Sequence, residues 1–174
     1  MARRWWAAFS TVGSAKELFR VLRRDPSTFR VWARHVRAVD EALGDEAAVA
    51  YSKLVLQAAE DASVALALAT ALPDLLASVP ASGRRRFYAV VQSVIEQKPD
   101  AALMVARSLP ALLDTMDDGS LSIFVAEALG RHSQSPRQAE GFLRMESKAG
   151  QSAVEVAQGG VTLRSMHRAL SLYA

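Results

Sequence analysis

The chain has 174 residues, of which 51% are hydrophobic and 22% charged, with a formal net charge of +3 and no cysteine. That length and balance suit one globular domain with a buried core, and the missing cysteines exclude disulfides, thiolate zinc sites and a cysteine nucleophile and fit a reducing, cytoplasmic setting. The longest uncharged, mostly apolar stretch runs from Ala62 to Pro73, well short of the roughly twenty residues a membrane-spanning helix needs, so no transmembrane span is expected.

At the N-terminus, Arg3 and Arg4 precede Trp5, Trp6, Ala7, Ala8 and Phe9. This looks like the basic start of a signal peptide, but the apolar run is short and broken by Ser10, Thr11 and Gly13. Capping helices are expected over residues 1–25, with Trp5 and Trp6 covering the open end of a helical core; a membrane-surface anchor is the alternative. The same end is basic. Nine Arg or Lys stand against two acids from Met1 to Arg37, and twelve against sixteen from Ala38 onward. A basic end on a mildly acidic body reads as a docking surface for an acidic protein face, a nucleic-acid backbone or a lipid headgroup, with an ordinary solvated face as the bland reading. Arg20, Arg23, Arg24, Arg30, Arg34 and Arg37 recur mostly at three- and four-residue steps, so much of the set lines one helical edge.

The rest of the chain repeats itself. Leu72-Pro73-Asp74-Leu75-Leu76 aligns with Leu109-Pro110-Ala111-Leu112-Leu113 at an offset of 37, and the register persists: Phe87 falls on Phe124, Pro99 on Pro136, and Tyr51 on Tyr88. Units therefore start near Pro26, Ala62, Pro99 and Pro136. In the second and third units the first helix carries Leu68, Leu72, Leu75 and Leu76, then Val105, Leu109, Leu112 and Leu113. The second helix carries Phe87, Val90, Val91, Val94 and Ile95, then Leu121, Phe124, Val125, Ala128 and Leu129. Each set is one apolar stripe at helical spacing. A lone hairpin cannot bury both its stripes, so neighbours must stack. The fold expected is all-α, a single domain over residues 1–174: a short right-handed α-solenoid of about four to five antiparallel helical hairpins, HEAT- or armadillo-like.

Prolines and turns punctuate this frame. Pro26, Pro99 and Pro136 suit helix starts. Asp25 and Ser135 offer side-chain caps, whereas Lys98 has no acceptor. Pro73 and Pro110 fall in mid-pattern, which predicts a kink or break at both. Pro80-Ala81-Ser82-Gly83 and Asp117-Asp118-Gly119-Ser120 read as the turns within hairpins.

Leu109-Pro110-Ala111-Leu112-Leu113-Asp114, a two-Asp turn and Val125-Ala126-Glu127-Ala128-Leu129-Gly130 resemble a HEAT-type repeat, without that family's Asp-Val-Arg turn ladder. Further on, Gly141-Phe142-Leu143-Arg144-Met145-Glu146-Ser147, Gly160-Val161-Thr162-Leu163 and Leu170 to Ala174 are similar to the helical region preceding the von Willebrand factor A domain in NorD- and CbbO-type bacterial proteins. That resemblance implies an accessory protein working with a MoxR-class AAA+ ATPase.

The candidate chemical motifs have plainer explanations. Asp118-Gly119-Ser120-Leu121-Ser122 fits the string of a metal-ion-dependent adhesion site, but it lies before a helix and not at the end of a buried strand, and an N-cap from Asp118 or Ser120 explains it. His35, His132 and His167 lack a partner at ligand spacing. The acid pairs Asp40-Glu41, Glu60-Asp61 and Asp117-Asp118 sit at presumed helix ends or turns. No phosphate-binding glycine loop is present. Arg84-Arg85-Arg86 stands out, because cations at a helix start oppose the dipole. No catalytic residue, metal site or cofactor is expected. The reading is a non-enzymatic scaffold or adaptor for a protein partner, binding through Arg84, Arg85, Arg86, Arg20, Arg23, Arg24, Arg34, Trp5 and Trp6. The alternative is a nucleic-acid-binding repeat protein using the same arginines.

Overall fold

The structure is a computed structural model that describes residues 25–148. Every regular element among them is helical: α1 (Pro26–Leu43), α2 (Asp45–Gln57), α3 (Ala62–Ser78), α4 (Ala81–Gln97), α5 (Ala102–Leu112), α6 (Asp118–Gln134) and α7 (136–148), with short 3-10 turns at Ala58–Glu60 and Pro99–Ala101. The described residues fall into two compact units, the first ending at Pro110 and the second starting at Ala111.

Helix starts follow from local chemistry. The Asp25 carboxylate accepts the Ser27 backbone N–H at 3.0 Å and the hydroxyls of Ser27 and Thr28, and Pro26 opens the helix where its missing N–H costs nothing. Asp61 does the same for α3, accepting from the backbone N–H groups of Ser63 at 2.9 Å and Val64 at 3.2 Å. The hydrogen bonds from Ser27 and Thr28 hold the Asp25 carboxyl below its ordinary pKa, and those from Ser63 and Val64 do so for Asp61. Helices α1 and α2 are joined by Gly44 alone, whose φ of +92° lies in the region that side chains disfavour.

In the first unit α1 packs on α2 and α3, and α2 packs on α3 and α4. Trp32 of α1 donates its indole N–H to the Ser52 hydroxyl of α2 at 3.1 Å, and the Ser52 O–H donates in turn to the Ala48 carbonyl at 2.7 Å, so this buried polar pair is satisfied. The α2–α4 contact has a direction. Tyr88, midway along α4, reaches the Ala47 carbonyl near the start of α2, and further on in both helices Gln57 donates to Glu96 at 2.8 Å near the two C-terminal ends, so these alternate helices run the same way. The apolar stripes are buried as patterned: Leu68, Leu72 and Leu76 on α3, Phe87, Val91 and Val94 on α4, and Val105 and Leu109 on α5, with Leu75 and Val90 only half-buried. In the second unit Leu121, Phe124, Val125 and Ala128 of α6 are buried, and Phe124 stacks on Phe142 of α7 at 5.4 Å.

At Pro73 the expected alternative of a break is not met. Helix α3 continues five residues past it without a break. Proline lacks the N–H that would bond to the carbonyl four residues earlier, Ala69. That carbonyl accepts instead the hydroxyl of Tyr51 from α2, at 2.8 Å, in a site where both residues are fully buried. A side chain from the neighbouring helix thus replaces the missing backbone donor. Helix α5 ends at Leu112, two residues after Pro110. The turns are also shorter than the sequence suggests: α4 begins at Ala81 and α6 at Asp118, so most of each presumed turn is already helix.

Removing the Tyr51 hydroxyl orphans a buried carbonyl, a loss of about 1–3 kcal/mol. Tyr51→Phe is therefore expected to lower the urea midpoint of the helical circular-dichroism transition. In a Pro73→Ala background, where residue 73 again supplies an N–H, the same change is expected to cost much less; equal costs in both backgrounds would show that the hydroxyl does not serve this carbonyl.

Candidate functional site

The basic residues singled out by the sequence separate on the structure. Arg20, Arg23, Arg24, Trp5 and Trp6 lie outside the described residues. Arg34 sits on the solvent face of α1 together with Arg30 and Arg37, all three exposed, while Thr28, Trp32, Val36 and Val39 turn inward. Arg37 pairs with Glu41 at 2.8 Å, and both side chains remain about two-thirds exposed.

Arg84, Arg85 and Arg86 do not form one cluster. Successive helical positions are turned by about 100°, so three consecutive residues point three ways: Arg84 and Arg86 are half-buried and Arg85 is exposed. The Arg84 Nε is buried without a hydrogen-bond partner. Its charge acts on the Tyr88 phenol one turn on, at the edge where Tyr88 meets the start of α2. Burial pushes the Tyr88 pKa up to about 12, with the nearby Arg84 opposing the rise and Glu46 of α2 adding to it. Arg84 thus belongs in part to the α2–α4 contact, a role invisible in a bare run of three arginines.

The remaining candidate motifs resolve into structural parts. Asp117, not Asp118 or Ser120, caps α6, accepting the Ser120 N–H at 2.7 Å; the metal-site-like string is the first turn of a helix. His35 and His132 are half-buried, on α1 and in the last turn of α6. Among the described residues no three His, Asp or Glu side chains gather as a metal site would require, and no helix is long and apolar enough to cross a membrane. Asp40 and Glu41 do sit at a helix end, in the last turn of α1, where acids oppose the dipole. In the second unit Arg131 pairs with Glu127 at 2.6 Å and lies over the Phe142 ring, 4.4 Å from its centroid, while Ile123 and Met145 are the large apolar side chains left exposed.

The described residues place one row of exposed arginines on the surface of α1, ended by an acid. No family model, curated protein or solved structure matches this chain.

Burial also raises the Tyr51 phenol, above its ordinary value and further than Tyr88. The unfolded chain releases these protons near pH 10, so above that pH it binds fewer protons than the folded chain and stability falls as pH rises. Below pH 10 both groups are protonated in either state and add no pH dependence. The expected result is a phenolate ultraviolet signal from these two tyrosines that appears together with loss of helical circular dichroism; titration of both while the helices persist would contradict their burial.

Proposed function

We propose that this chain is a non-enzymatic interaction scaffold: a short, right-handed, HEAT-like α-solenoid that presents exposed helix faces to a protein partner. The observation that carries the reading is the packing of alternate helices, α1 on α3 and α2 on α4. In an up-and-down four-helix bundle such pairs lie on diagonals, whereas in stacked hairpins they are direct neighbours. Helix starts at Pro26, at Ala62 and at 136, with a 3-10 turn at Pro99 leading into α5, keep the period of the repeat. Stacking of this kind spends the apolar stripes on neighbouring hairpins and leaves polar faces for recognition.

The partner suggested by the C-terminal resemblance is a MoxR-class AAA+ ATPase, with the chain as its adaptor in a cytoplasmic setting. The competing reading is nucleic-acid binding, favoured by the exposed Arg30, Arg34 and Arg37. Salt separates the two, because phosphate contacts release counterions and affinity falls steeply with ionic strength. Mixing the purified chain with a purified MoxR-class ATPase is expected to give a co-migrating complex by analytical ultracentrifugation and to change the rate of ATP hydrolysis. Absence of a complex at low ionic strength, with duplex DNA or RNA binding under the same conditions, would transfer the function to the competing reading.

A further inference from the structure

We draw no further inference here: the strongest candidate, the apolar surface patch of Ile123 on α6 and Met145 on α7 in the second unit, carries nothing because nothing in the structure shows what covers it.

Discussion

A proline in the middle of a buried helix leaves a carbonyl without its donor, and the first unit is arranged around how that deficit is met. Pro73 cannot bond to the Ala69 carbonyl, and the Tyr51 hydroxyl arrives from α2 to do so. An unpaired buried carbonyl is costly enough that the bond constrains both the separation and the register of α2 and α3. Leu68, Leu72 and Leu76 are then buried on one face of a helix whose position is fixed by a polar contact as well as by apolar area. The Trp32–Ser52–Ala48 chain does the equivalent for α1 against α2. Two satisfied polar links and an apolar filling specify where three helices sit.

The repeat does not copy this device. Tyr88 and Pro110 stand one period after Tyr51 and Pro73, yet the Tyr88 hydroxyl faces the Ala47 carbonyl at 3.4 Å and remains half-buried. Pro110 has only two helical residues after it, so less helix depends on bridging the gap than at Pro73. Tyr88 instead joins α4 to α2, in company with the Arg84 charge. Equivalent positions in sequence have thus been given different neighbours.

This contrast shows what the sequence could reveal. The start of α1 was legible because caps and prolines act locally, Asp25 with Pro26 needing only the next residues, whereas the start of α3 was read from the repeat and not from its Asp61 cap. The apolar stripes were legible because burial follows the helical period. The Tyr51–Ala69 bond was not, since its partners lie 18 residues apart and nothing in their spacing announces that a hydroxyl replaces an N–H. The choice of Asp117 over Asp118 as cap turned on a shift of one residue, which composition does not resolve. At the candidate surface, the three- and four-residue steps of Arg30, Arg34 and Arg37 were readable as one edge. The dispersal of Arg84 to Arg86 required knowing that α4 begins at Ala81 and what packs beside it.

The account stands on alternate helices lying side by side in the same direction, and the absence of cysteine from the chain allows that to be tested directly. Gln57 and Glu96 touch across α2 and α4 at their C-terminal ends. With Gln57→Cys and Glu96→Cys installed together, a short bifunctional thiol reagent is expected to link them within one molecule under native conditions and not in denaturant. Failure to link in the folded monomer, with efficient linking of Gln57→Cys to Ser82→Cys at the opposite end of α4, would contradict it.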